Sequence, residues 1–431
     1  MSSISRRGFL GSTAAVAASL ALPSCATTRR QPRPLSDKLR IGLIGVGGRG
    51  GSNLRGILDT GEDIVAICDI DERILGRVSR DLPAAETFVD FRELLARADL
   101  DAAVISTPDH THAPAAAMAL HRGLDVYCEK PLTHSVHETR VLTELAAANG
   151  AVTQMGTQIH ANDNYRRVVE IVQAGVLGRV EAVHVFCNKA WGGATVPTEP
   201  MPVPDHIHWD LWLGPAPQRP YHEAYMPANW RRFWTFGGGT LSDMACHYMD
   251  LGFWAIGLTS PVTVQASGPE AQPETSPMGM SVRWEFPACQ AHEATTLTWS
   301  DGDHRPEALD ELGIEKWRNG VLFVGEAGWL VSDYNRYEIG PKPDFANFTA
   351  PGKSIPDSVG HYREWTTACK TRGETSCHFR YSGPLTETVL LGNVAYRSGQ
   401  RIEWDSARLQ IPNSATAQAL LRRDYREGWT L

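Results

Sequence analysis

Asp243 and His247 stand four residues apart in an apolar stretch. On a helix that interval puts both side chains on one face. A histidine titrates near neutrality, and a carboxylate beside it orients the ring and steadies its cation. Such a pair can take the proton of a secondary alcohol while hydride leaves the same carbon. A second constellation lies earlier, in Gly45-Val46-Gly47-Gly48-Arg49-Gly50, a G-x-G-x-x-G run. Gly45, Gly47, Gly48 and Gly50 suit a tight turn, close backbone approach to a pyrophosphate, and close helix–strand packing. A helix N-terminus behind them favours an anion. Asp69 follows at the distance where an acid accepts bonds from an adenosine ribose, and an acid there repels a 2′-phosphate. The pattern therefore favours NAD over NADP. Arg49 and Arg73 are each placed either to meet a phosphate or to stand solvated at the surface.

The elements that must position these groups are legible as an alternation. Residues 39–44 read as a buried strand, a helix runs to about Asp59, and residues 64–68 form the next strand, ending at Asp69. Residues 102–106, 125–128 and 151–155 are further strands, with a helix to about Arg122 between the first two. Strand–helix alternation implies a parallel sheet, and ligands sit beyond the carboxyl ends of its strands. Thr107, Pro108 and His112 lie in one such loop, and Glu129 and Lys130 in another, which makes all five candidate cofactor contacts.

Taken together, residues 45–50, Cys68-Asp69, Ser106-Thr107-Pro108-Asp109-His110-Thr111-His112 and Glu129-Lys130-Pro131 resemble the Gfo/Idh/MocA family of glucose-fructose oxidoreductase, inositol dehydrogenase and their relatives. The resemblance covers about residues 38–155. It implies an α/β protein: an N-terminal Rossmann parallel sheet, then a C-terminal α/β domain with a large, mostly antiparallel sheet. That second sheet would line the substrate site at one end and support a homodimer or homotetramer. Farther on, Asp243-Met244-Ala245-Cys246-His247 resembles the family's catalytic Asp-x-x-x-His pair. The resemblance then implies His247 as acid/base, Asp243 as its partner or a substrate binder, and Lys130 as a donor to the same oxygen, with Glu129 beside it. It also puts Gln158 near the cofactor, with His160 as a further candidate, while Asn164 and Arg166 open a helix that faces either the cleft or solvent. Each residue has a plainer reading as well: Asp243 as an acid stabilising a first helical turn, His247 as a satisfied core histidine, Lys130 as a solvated loop lysine, and His112 as a packing residue.

Trp191, His206, His208, Trp209, Trp230 and Trp234 make the 190–235 tract rich in aromatic and histidine side chains. It fits a carbohydrate cleft or simple packing. His206-Ile207-His208 with Asp210 lacks further ligands at a metal spacing, so no metal site is expected. Residues 192–204 read as a loop or lid. Residues 281–286, 294–299 and 401–405 read as strands and 320–330 as a hairpin, with helices at 361–369, 384–396 and 415–425.

The whole chain has 431 residues, a net charge of −8 and 21% charged residues. That is a globular composition, and the acidic balance disfavours nucleic acid. At the start, Ser5-Arg6-Arg7-Gly8-Phe9-Leu10 precedes a short apolar stretch, a twin-arginine export signal over residues 1–25. Leu22-Pro23-Ser24-Cys25 resembles a lipoprotein box, so a lipid on Cys25 is the one membrane attachment expected. Residues 26–37 read as a tether, 38–155 as the NAD-binding domain and 156–431 as the substrate-binding and oligomerisation domain. The expected location is periplasmic. Of eight cysteines none forms a CxxC pair, and Cys369 with Cys377 is the nearest candidate for a bridge.

Three functions fit. The first is an exported NAD-dependent oxidoreductase acting on a secondary hydroxyl of a sugar, polyol or glycoside, with tightly held cofactor. The second is an NAD-dependent glycosidase working by transient oxidation and elimination. The third is a non-catalytic sugar- or nucleotide-binding protein, against which the intact Lys130, Asp243 and His247 argue.

Overall fold

The protein was analysed as a computed structural model that describes residues 31–431. The twin-arginine pattern, Cys25 and the first part of the tether lie outside the described residues. Among the described residues, no helix is long and apolar enough to cross a membrane.

The first sheet is built from β1 (Arg40–Ile44), β2 (Asp63–Cys68), β3 (Glu86–Phe88), β4 (Ala102–Ile105), β5 (Asp125–Cys128) and β6 (Thr153–Met155). Their order is β3-β2-β1-β4-β5-β6 and every pair is parallel. Strand β4 is buried at every position, as is β5, because helices cover both faces. The order reverses between β1 and β4, which opens a crevice beyond their carboxyl ends.

The second sheet is formed by β7 (Val180–Cys187), β8 (Thr263–Ser267), β9 (Ser281–Phe286), β10 (Thr295–Asp301), β11 (Asn319–Gly325), β12 (Gly328–Ser332), β13 (Tyr337–Gly340) and β14 (Ile402–Glu403). It runs β13-β12-β11-β7-β10-β9-β8-β14, and every pair is antiparallel except β7 with β10. The buried helix Gly239–Ile256 packs on this sheet, with Gly252 close against Val183 and Leu297. It carries Asp243 and His247.

The second half of the chain also reaches back. Helix His361–Thr371 lays Trp365 into the core that holds Leu39, Ile41 and Leu43 of the first sheet. Two buried ion pairs fasten it and the residue that follows: Lys370 to Glu62 at 2.7 Å and Arg372 to Asp125 at 2.6 Å.

Two helices differ from the sequence reading. The one expected from Pro384 begins earlier and spans Phe379–Ser398, because His378 caps it by accepting from the Tyr381 N–H. The one expected over 415–425 stops at Ala419. Beyond it Arg423 and Tyr425 reach out to Glu138, and the chain continues as an irregular tail. Cys377 carries a free, buried thiol, so the Cys369–Cys377 bridge does not form.

Candidate active site

A cavity of about 800 Å³ lies where the carboxyl ends of the first sheet face helix Gly239–Ile256. Gly45, Gly47, Gly48, Arg49, Asp69, Thr107, Pro108, Glu129, Lys130, Gln158, Asp243 and His247 all line it. The structure thus brings together the catalytic and cofactor candidates read from the sequence except Gly50 and His112, while Arg73, Trp191, His206, His208, Trp209 and Trp234 do not line the cavity.

Gly50 acts from behind the wall. A Cβ there would stand 1.9 Å from the Gly45 carbonyl oxygen, and Gly45 itself sits at φ +78°. The turn closes only because both lack side chains. Helix Gly48–Leu58 then starts with no side-chain cap and no acid in its first turn, so its leading N–H groups are left for an anion. Asp69 closes the other side of the turn, accepting from Val46 N–H at 3.0 Å and Gly47 N–H at 3.2 Å. Burial pushes its carboxyl up, and these backbone donors with that of Asp71 work against the push. The Thr107 hydroxyl is buried at the cavity without a hydrogen-bond partner. An uncapped helix start, an acid at the end of β2 and an orphaned hydroxyl fit a dinucleotide.

His112 does not reach the cavity. Its two ring nitrogens lie 2.8 Å from the carbonyl oxygens of Pro131 and Thr107, so it ties the two active loops together. Burial lowers its pKa. Glu129 is held by Gln158 Nε2 at 2.7 Å and Asn53 Nδ2 at 3.0 Å, and Tyr362 OH donates to Asn53 from the returning helix. It does not pair with the Lys130 ammonium.

That ammonium goes to Asp243 instead: 2.6 Å to its carbonyl oxygen and 2.9 Å to Oδ1. Arg231 Nε donates to the same Oδ1 at 2.8 Å. Burial opposes ionisation of Asp243, yet these two cations hold its carboxyl well below the usual carboxylate range. The expected pairing of Asp243 with His247 is therefore replaced by an ion triad. No hydrogen bond joins the two, and His247 Nδ1 is buried without a partner. Burial and the nearby Lys130 charge keep its imidazole neutral, its pKa well below 6.5.

Arg231, Asp109 and Tyr334 are among the cavity residues that escaped the sequence reading. Arg231 sits under Trp230, its guanidinium 4.3 Å from the ring centroid. An arginine twelve residues before Asp243 was the available signal. Asp109 is buried in the first turn of helix Asp109–His121, and burial pushes its carboxyl up to about 7 against the pull of Arg231 and Lys130. Tyr334, from the turn between β12 and β13, stacks on Tyr248 at 4.6 Å and stands edge-on to His247 at 6.4 Å. Nothing local in the sequence marks it.

Other candidates are used elsewhere. His160 is buried against Asp250, its Nδ1 3.0 Å from both carboxylate oxygens, with the Tyr381 hydroxyl donating to Oδ1 at 2.7 Å. Asn164 bonds Ser332 and Asp333, and Arg166 bonds the Pro356 carbonyl. His208 pairs with Glu72 at 2.7 Å and Asp210 with Arg426 at 2.6 Å. Of the aromatic tract, Trp230 lines the cavity, whereas Trp209 stacks on Trp212 in a satellite core.

Residues 39–157 match the family model described as an oxidoreductase family, NAD-binding Rossmann fold, and residues 161–307 match that family's C-terminal alpha/beta domain. Together the two matches cover well over half of the chain. Inositol 2-dehydrogenase 4 of Saccharopolyspora erythraea is 32% identical over 156 residues, 36% of this chain and 46% of that protein. Glycosyl hydrolase family 109 protein 2 of Shewanella sp. is 32% identical over 209 residues, 42% of this chain and 45% of that protein. The chain thus spans about half the length of the curated relatives it matches. The WlbA dehydrogenase of Bordetella pertussis, solved in complex with NADH and UDP-GlcNAcA, shares the fold with a TM-score of 0.62 at 19% identity, covering 86% of this chain and 99% of that one.

Proposed function

Since the chain belongs to the Gfo/Idh/MocA oxidoreductase family, whose NAD-binding Rossmann domain it carries over residues 39–157, we propose that it is an NAD-dependent oxidoreductase acting on a secondary hydroxyl of a sugar, polyol or glycoside. The observation that carries this reading is one cavity holding both the uncapped glycine turn with Asp69 and the group Lys130, Asp243, Arg231 and His247. Bound NAD supplies the hydride acceptor. Every other part is played by side chains. Neutral His247 accepts the hydroxyl proton at a ring nitrogen. Lys130 spends two of its three N–H donors on Asp243 and keeps one for the reacting oxygen, where it steadies negative charge. Asp243 and Arg231 hold that lysine in place. Trp230 offers an aromatic face to the C–H surface of a sugar. Asp69 favours NAD over NADP.

The further parts of the proposal are twin-arginine export of the folded protein to the periplasm, an optional lipid on Cys25, and a homodimer or homotetramer. An exported enzyme keeps working only if its nucleotide leaves slowly, so the cofactor is tightly held. Arg6→Lys with Arg7→Lys should leave the protein in the cytoplasmic fraction. Equal fractionation of this variant and wild type would overturn the export reading.

The similarity to a glycosyl hydrolase family 109 protein supports a second reading, in which the same residues oxidise a glycoside transiently and cleave it without net redox change. One experiment separates the two. The purified protein is given a panel of sugars, polyols and aryl glycosides while reduced cofactor and product mass are followed. A keto product with reduced cofactor supports the dehydrogenase. Aglycone release with no accumulated reduced cofactor supports the glycosidase. Protein that carries and binds no NAD overturns both.

A further inference from the structure

Residues 423–426 make a set of fixed side-chain contacts to groups far back in the chain. Arg423 Nε donates to Glu138 Oε1 at 2.6 Å, and the Tyr425 hydroxyl donates to the same oxygen at 2.6 Å. Arg426 grips the short helix Trp209–Leu213 and its C-cap Gly214 from three nitrogens, reaching Gly214 O at 2.5 Å, Asp210 Oδ1 at 2.6 Å and Asp210 O at 2.6 Å. What this fastening delivers is Trp429. Its ring lines the same cavity as Asp69, with Phe91 at 5.7 Å and the Arg92 guanidinium 4.7 Å over its face. Arg92 is itself fixed by Asp90 at 2.6 Å.

Strand order says which end of the cavity this is. Lys130 follows β5, Asp69 follows β2, and Val89 and Phe91 follow β3, in a sheet ordered β3-β2-β1-β4-β5-β6. Neighbouring parallel strands are ~4.8 Å apart, so β3 and β5 are roughly 19 Å apart along the row of carboxyl ends. The reacting groups stand at one end. At the other, beyond the acid that marks an adenosine ribose, the wall turns apolar with Ile70, Ile74, Val89 and Phe91. A flat, polarisable wall next to an apolar slot suits a purine base, since every base presents a π-face to an aromatic ring.

We infer that the C-terminal segment is part of the dinucleotide site, a strap that carries Trp429 over the adenine end and slows cofactor release. This rests on the reading of the cavity as an NAD site. The strap is closed by Arg426 and by the Arg423–Glu138–Tyr425 knot, all outside the base slot. Cofactor leaves when the strap lets go.

The test uses the full chain as wild type, Trp429→Ala, Trp429→Phe and Arg426→Ala. Two quantities are read: the rate at which bound NAD is lost on dilution, and the calorimetric affinity for ADP-ribose, which has the adenosine half and no nicotinamide. Trp429→Ala should lose NAD about tenfold faster and bind ADP-ribose about tenfold more weakly, while Trp429→Phe keeps most of both. Arg426→Ala, which unfastens the strap and removes the guanidinium 6.0 Å from the Trp429 ring without replacing a cavity-lining residue, should act in the same direction and serves should Trp429→Ala not fold. Release and ADP-ribose affinity within about twofold of wild type in the folded variants overturn the strap. Wild-type protein that binds neither NAD nor ADP-ribose overturns the NAD reading instead.

Discussion

The ammonium of Lys130 sits 2.9 Å from Asp243 Oδ1 and 2.6 Å from the Asp243 carbonyl oxygen, although the two residues are 113 positions apart. One comes from the end of β5 and the other from a helix on the second sheet, so this ion pair joins the two halves of the protein across the cavity. Arg231 completes it at 2.8 Å. Asp243 is therefore committed to two cations and positions the lysine rather than the histidine.

Asp243→Asn should destabilise the protein by about 3 kcal/mol, because it leaves two largely buried cations facing each other without a carboxylate. Lys130→Met should cost less, since Asp243 keeps Arg231. The sign with pH follows from the depressed pKa of Asp243: its contribution is fully present above the unfolded value near 4 and is lost as pH falls below that. Denaturant unfolding from pH 3 to 7 should show a shallower acid limb in Asp243→Asn. Equal acid limbs would mean the triad does not stabilise the fold.

His247→Ala should reduce turnover by about 10²- to 10⁴-fold with NAD affinity unchanged, as expected for loss of a general base that does not hold the cofactor. Its pKa is held well below 6.5 by burial and by Lys130, so the base form persists below neutrality. The limb of alcohol oxidation that belongs to His247 should therefore lie not at 6.5 but at lower pH, where the imidazole finally protonates, apart from the Asp109 limb near 7. A limb at 6.5 that disappears in His247→Ala would place the ring in an ordinary, solvated environment.

The first sheet and its loops were legible in the sequence because parallel buried strands, glycine turns and the acid after β2 are local signals. Asp243 and His247 were legible for the same reason, four residues apart on one helix. Their partnership was misjudged because spacing says which side chains share a face and not what else reaches that face. Lys130 and Arg231 claim Asp243 from other elements. Arg231, Asp109 and Tyr334 were missed because each is placed at the cavity only by the tertiary fold: Arg231 from a loop, Asp109 through burial that shifts its titration, Tyr334 from a turn of the second sheet. His112 and His160 carried the right chemistry in the right neighbourhood, yet carbonyls and a buried carboxylate hold their ring nitrogens. The tail was read as helix because its composition allows one. Arg423, Tyr425 and Arg426 win by bonding to groups far back in the chain.

Gly50→Ala and Gly48→Ala test the glycine turn separately. At Gly50 a methyl would meet the Gly45 carbonyl at 1.9 Å, whereas at Gly48 it would find nothing within 4 Å and face only the strain of φ +49°. Gly48→Ala should cost about 1–2 kcal/mol of stability. Gly50→Ala should cost more and abolish NAD binding, because the helix must move away from the turn it completes. Calorimetric NAD titration and thermal unfolding measure both. Equal effects at the two positions would mean that close packing at Gly50 is not what the turn requires.

Asp109→Asn should stabilise the protein in alkaline solution while leaving the acidic side unchanged. Burial raises the Asp109 carboxyl to about 7, with Asp243 pushing in the same direction and Arg231 and Lys130 opposing it. An unfolded aspartate ionises near 3.9, so between that value and 7 the folded state holds a proton that the unfolded state has lost. Wild-type stability therefore falls as pH rises through this window, by as much as about 4 kcal/mol in total. Asparagine carries no such charge and is spared the penalty. From pH 5 to pH 8, the gap between variant and wild type should widen by roughly 2–3 kcal/mol in denaturant unfolding. The same carboxyl faces Lys130, Arg231 and Asp243 in the cavity, so its ionisation alters the field in which His247 takes a proton. A wild-type kcat/KM profile should carry a limb near 7 that Asp109→Asn removes. A gap that stays constant with pH would show that Asp109 ionises as an ordinary surface carboxylate, and the limb would then belong to another group.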